Sequence, residues 1–147
     1  MVSTKSMVSS FGNNLKNRFE ESYGDAKNLR GRFPLAAIGF MVVFRSTILD
    51  KPGLFEFAID MLRKLRSEPD VYEATCMVVA EWDEGGVVDI RHDKIPSDLA
   101  AGRFLATLVE RVLDNAPISM HVNVRQLHEH RSLPAEDLAD PDLTDET

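Results

Sequence analysis

Residues 35–44 read LAAIGFMVVF, and the fold turns on whether this apolar run is a strand or a buried helix. Length and apolarity alone do not separate the two. The β-branched and aromatic content, and Pro34 immediately before the run, favour a strand buried on both faces. A second run, EATCMVVAEW (73–82), has the same character. Between them lies KPGLFEFAIDMLRKLR (51–66), where Phe55, Ile59 and Leu62 fall at helical spacing and Pro52 suits a first helical turn. Strand, amphipathic helix, strand is the signature of an α/β unit with parallel pairing.

Working outward, the pattern continues on both sides. MVSTKSMV (1–8) reads as a short strand with Val2, Thr4 and Ser6 on one face. SSFGN is a turn, and from about Asn13 to Arg32 the apolar residues Leu15, Phe19, Ala26 and Leu29 mark a helix. Ser9 or Ser10 is positioned to cap it, and GRFP ends it. Downstream, DEGG (83–86) is a turn and VVDIRHD (87–93) an edge strand returning on 73–82. Residues 97–116 read as a helix capped by Ser97 or Asp98, and ISMHVNVRQL (118–127) alternates as a half-exposed strand. The expected fold is therefore α/β, with a mixed, mainly parallel sheet flanked by helices. A parallel sheet needs cover on both faces, so a chain that opens on a strand raises the expectation of an N-terminally incomplete domain. The domain is expected over 1–131.

Composition narrows the function classes. The 147-residue chain is 44% apolar, enough for a real core, and no run approaches the length of a membrane span. No apolar leader segment opens it, and its one cysteine, Cys76, allows no internal disulfide, which fits the cytoplasm. The net charge of −7 is unevenly spread. Residues 132–147 carry six acids and no Lys or Arg, the composition of a disordered acidic tail. Without them 17 basic residues face 18 acids, and residues 1–32 hold six basic residues against three acids. A basic front is compatible with phosphate binding.

Within that front, Lys5 lies on the first strand, and Asn13, Asn17, Glu20 and Gly24 share one helix face, flanked by Glu21 and Asp25. Lys16 and Glu20 form an i,i+4 pair. Arg30 and Arg32 end the helix, suited to complement its dipole or to contact phosphate. Elsewhere, Glu81, Asp83 and Glu84 cluster at a turn, and His121, His128 and His130 offer metal-type atoms without a familiar spacing. There is no Gly-rich phosphate loop, zinc spacing or nucleophile elbow.

Taken together, STKSMVSSFGNNLKNRFEE (3–21) resembles the end of the catalytic core of PD-(D/E)XK nucleases, the restriction-endonuclease-like family. The resemblance covers residues 1 to about 45. It implies a hydrolase that cuts DNA phosphodiesters with Mg²⁺. Ser3-Thr4-Lys5 takes the place of the acid-x-Lys triplet, and Lys5 carries over as the motif lysine. Ser3 replaces the triplet acid, so the resemblance assigns the missing carboxylate to Glu20 or Glu21 of the following helix, with Glu20 preferred because it shares a face with Asn13 and Asn17. It further implies DNA contacts from Asn13, Asn14, Lys16, Asn17, Arg18, Arg30 and Arg32. The strand bearing the family's first Asp would lie upstream of Met1, so the chain reads as the C-terminal part of such a domain, truncated or inactive alone, or completed as a homodimer. The alternative is a non-catalytic α/β interaction module that pairs through its open N-terminal strand edge.

Overall fold

The computed structural model describes residues 1–86 and 88–115. The strand expected at 118–127, His121, His128 and His130, and the acidic tail at 132–147 lie outside the described residues, as does the boundary at 131.

Four strands form one sheet in the order β1 (Val2–Met7), β2 (Gly39–Arg45), β3 (Ala74–Trp82), β4 (Val88–Ile90). The first three are parallel and β4 runs antiparallel to β3. Helix α1 (Phe11–Arg32) joins β1 to β2, α2 (Pro52–Ser67) joins β2 to β3, and α3 (Ala101–Asn115) follows β4. The α/β class and the mixed, mostly parallel sheet expected from the sequence are thus present.

Alternation along the strands sorts the core into two layers. Phe40, Val42 and Phe44 of β2 and Met77 and Val79 of β3 point to one side, where they pack with Phe11, Leu15, Phe19 and Ala26 of α1 and Ala58, Leu62 and Leu65 of α2. Phe19 meets Phe40 edge-on at 6.2 Å between ring centroids, and Phe40 stacks on Tyr72 at 5.3 Å. Ala74 and Cys76 turn to the other side, under Phe104 and Leu108 of α3. This second layer is thinner, and Val2, Thr4 and Ser6 of the edge strand are exposed. Cys76 is buried there as a small apolar residue, and burial pushes its thiol up to about 11.

The differences from the sequence reading have local causes. The 35–44 run becomes strand only at Gly39, because Ala36 N–H turns back on Phe33 C=O and Arg30 takes the carbonyls of Pro34 and Ala36. Ser10 sits at the start of α1 but in the left-handed region, φ 56°, and its side chain makes no capping bond. The helix expected from Ser97 begins at Ala101 after a single 3-10 turn, Ser97–Leu99. Asp98 does not cap it, because its carboxylate accepts from Arg63 and Arg66 of α2.

Asp98 therefore ties α2 to the approach of α3. Hydrogen bonds from Arg63, and then from Arg66, hold its carboxyl well below the usual carboxylate range. A carboxyl depressed in the folded state stabilises the fold above its unfolded pKa, about 3.9, and loses that contribution as pH falls below it. The urea midpoint of the wild-type protein should fall below about pH 4 more steeply than that of Asp98→Asn. Parallel pH profiles for the two proteins would contradict this assignment.

Candidate functional site

Lys5 is placed by the pleat of β1. Ser3, Lys5 and Met7 face α1, while Val2, Thr4 and Ser6 face away, and Lys5 lies beside Val42 of β2. Its ammonium reaches the flank of α1, 3.1 Å from Asp25 Oδ2 and 3.9 Å from Glu21 Oε2. Glu21 and Asp25 are one turn apart, so both carboxylates converge on the same amine. Arg18 donates from Nη1 to Glu21 Oε2 at 2.8 Å. Two cations and two carboxylates thus form a neutral cluster along the β1–α1 seam. The lysine side chain is 24% exposed and the two acids about half exposed. As a stabilising contact such a pair contributes roughly 0–1 kcal/mol, so fold stability alone gives little reason for it.

Behind this cluster the seam is fastened from the core. The Tyr72 hydroxyl donates to Ser22 C=O at 2.8 Å, inside the helix turn that carries Glu21 and Asp25. Burial, and secondarily the charge of Asp25, push that phenol up to about 12, while a hydrogen bond with Ser3 acts in the opposite sense. Ser22 is itself fully buried and donates to Phe19 C=O at 2.7 Å. Ser3, Lys5, Glu21, Asp25 and Tyr72 are thereby brought to one place by β1, α1 and the segment leading into β3.

Glu20 is not part of it. It pairs with Lys16 at 3.8 Å on the solvent side of α1, together with Asn13 and Asn17. Each helical residue turns about 100° from the last, so the step from Glu20 to Glu21 decides which carboxylate faces β1. The shared face that favoured Glu20 is real, but it points away from Lys5. Asn14 and Arg18 are exposed on α1, and Arg32 is exposed at its end. Arg30 is not available as a phosphate contact. It donates to the carbonyls of Pro34 and Ala36 and to Glu73, and its Nε is buried without a partner.

The other acidic candidates serve the turn. Asp83 Oδ1 accepts from Gly85 N–H, Gly86 takes φ 78°, and Glu81 faces Arg91 at 3.6 Å. Among the described residues no three His, Cys, Asp or Glu side chains converge on one point, and no helix is long and apolar enough to cross a membrane. Two carboxylates are nevertheless a donor set that suits Mg²⁺, which binds through one or two carboxylates and keeps waters and phosphate oxygens for the rest. Glu21 and Asp25 are that pair, and Lys5 and Arg18 at present neutralise them. Spacing along the chain could not reveal Asp25 as the nearest partner of Lys5; only the seam between strand and helix does. The chain matches no protein-family model, no curated protein and no solved structure.

Proposed function

We propose that this chain is a restriction-endonuclease-like module that engages DNA phosphodiesters for hydrolysis, with its working face along the β1–α1 seam. The observation that carries the reading is the convergence of Lys5, Glu21 and Asp25, a lysine on a strand facing two carboxylates of the next helix. In this reading Glu21 and Asp25 hold Mg²⁺, and Lys5 meets the substrate phosphate. The metal, when bound, polarises the phosphoryl oxygen and lowers the pKa of an attacking water. Lys5 offsets negative charge carried by the phosphoryl oxygens in the transition state, and Tyr72 holds the helix turn in place through Ser22 C=O. Lys16 and Arg32, with Asn13, Asn14 and Asn17, are exposed on α1 and available for backbone contacts that are sequence-independent and salt-sensitive. The reading is tested by Mg²⁺-dependent nicking of supercoiled plasmid. Lys5→Ala and Asp25→Asn are each expected to lower the rate by about 10²-fold or more. A well-folded wild-type protein that does not nick in Mg²⁺ overturns it.

A second reading, an interaction module, is favoured by the edge of β1. Among the described residues that edge has no neighbour, and the strand contains no proline and has its one lysine turned onto α1 rather than outward. Native edges are usually guarded by such devices. If a second copy pairs there, sedimentation will show a dimer that Thr4→Pro dissociates. A monomer at all concentrations would remove this reading.

A further inference from the structure

Helix α3 meets the sheet along one side only. Phe104 and Leu108 turn inward onto Ala74 and Cys76. At about 100° per residue, Leu105, Val109 and Val112 share a second side of the helix, and they are 56%, 55% and 47% exposed. Gly102 and Ala106, also exposed, lie beside this stripe. The charged residues Arg103, Glu110, Arg111 and Asp114 fall on the opposite side, the last three beside Glu73. The apolar surface continues past the helix. Asn115 donates from Nδ2 to Leu35 C=O at 3.1 Å, which brings exposed Leu35 to the end of the stripe. Exposed Val2 pairs with Gly39, the residue packed under Phe104 and Leu108. Single exposed apolar side chains are ordinary, whereas a contiguous group marks an interaction surface.

We propose that this face binds a second copy of the chain about a two-fold axis, α3 lying antiparallel on α3 with Val109 nearest the axis. A two-fold contact joins a patch to itself, so the patch must be able to lie on its own image. This one meets that condition in charge, because the stripe carries no charged side chain and brings no like charges together. It meets it in shape as well. With Val109 at the axis, Val112 of one copy comes level with Ala106 of the other, and Gly102 and Ala106 let the helices approach closely. The five half-exposed side chains offer roughly 500 Å² per copy, so two copies cover on the order of 1,000 Å², the size at which specific interfaces begin. The surface shares no residue with the Lys5 seam, and it covers the α3 side of the sheet rather than the hydrogen-bonding edge of β1.

Sedimentation equilibrium of the full chain is the test, and a reversible dimer is expected. Val109→Arg, a change at an exposed position, should raise its dissociation constant at least about 30-fold while keeping the circular dichroism of wild type. Glu110→Arg, on the opposite side of α3, and Thr4→Pro, at the β1 edge, should leave it unchanged. Val109→Cys should form a disulfide-linked dimer on mild oxidation, since paired residues at the axis come within disulfide reach, whereas the wild type, with Cys76 buried, should not. A dimer that Thr4→Pro dissociates and Val109→Arg does not would place the contact at the β1 edge and overturn the proposal. So would a dimer in which Val109→Cys fails to cross-link. A monomer at every concentration also overturns it: a lowered urea midpoint in Val109→Arg would then give the face a cover from the same chain, and an unchanged midpoint would leave it to a different partner.

Discussion

Glu73→Ala is expected to cost the fold about 3–5 kcal/mol, the largest loss from any single polar side chain described. Glu73 immediately precedes β3 and its side chain is 10% exposed. One carboxylate oxygen accepts from Arg30, and the other accepts from Ile38 N–H at 2.6 Å, just before β2. Its own N–H donates to Ile38 C=O at 2.9 Å. One residue thus gathers the end of α1, the entry to β2 and the entry to β3. Truncation leaves a guanidinium whose Nε already lacks a partner, and orphans a backbone N–H. Urea unfolding measures the loss, and Glu73→Gln, which keeps an acceptor for one partner, should lose clearly less. A Glu73→Ala loss below about 1 kcal/mol, within the range of an exposed pair, would show that the cluster is not cooperative.

The second large effect is steric. Gly39 starts β2 under α3, and a Cβ there would lie 2.6 Å from two ring carbons of Phe104 and 2.9 Å from Leu108 Cδ1. Both neighbours are buried, at 2% and 8% exposure, so neither can swing aside freely. Gly39→Ala should cost about 1–3 kcal/mol, and Gly39→Val more, by lifting α3 from the sheet. Hydrogen exchange reads the site of damage. Amides of α3 should exchange faster while those of α1 keep their protection. Equal acceleration in both helices would mean that the sheet itself, rather than its α3 face, had given way.

The two layers explain how far the sequence could be read. Periodicity carries the elements from α1 to β3 best, where buried stripes are clean: Phe11, Leu15, Phe19, Ser22 and Ala26 along α1, and Phe40, Val42 and Phe44 along β2. Boundaries were harder to read where tertiary bonds override local preference. Arg30 holds residues 34–36 out of the strand, and Asp98 leaves the cap of α3 for two arginines of α2. The candidate site was half legible. Strand position singles out Lys5, and the company it keeps on its own helix face favours Glu20, whereas the carboxylates that pair with Lys5 are Glu21 and Asp25. The deciding quantity is which face meets β1, and that is set by the buried stripe. Leu15, Phe19 and Ala26 fix it, so Glu21 and Asp25 follow from the stripe once the strand is known to pack beside it. Glu73 gives a fainter signal, a lone acid just before an apolar strand, and its two partners, Arg30 and Ile38, are too distant in sequence to be read from spacing.

The most direct test of the central claim compares neighbouring carboxylates. Plasmid nicking in Mg²⁺ is measured for wild type, Glu21→Gln and Glu20→Gln, with folding checked by circular dichroism. Both acids are exposed and each makes only surface ion pairs, so neither change should unfold the protein. The β1–α1 seam as the working face predicts that Glu21→Gln loses about 10²-fold or more in rate while Glu20→Gln cuts like wild type. Loss in Glu20→Gln with activity retained in Glu21→Gln would contradict it, and would move the chemistry to the solvent face of α1.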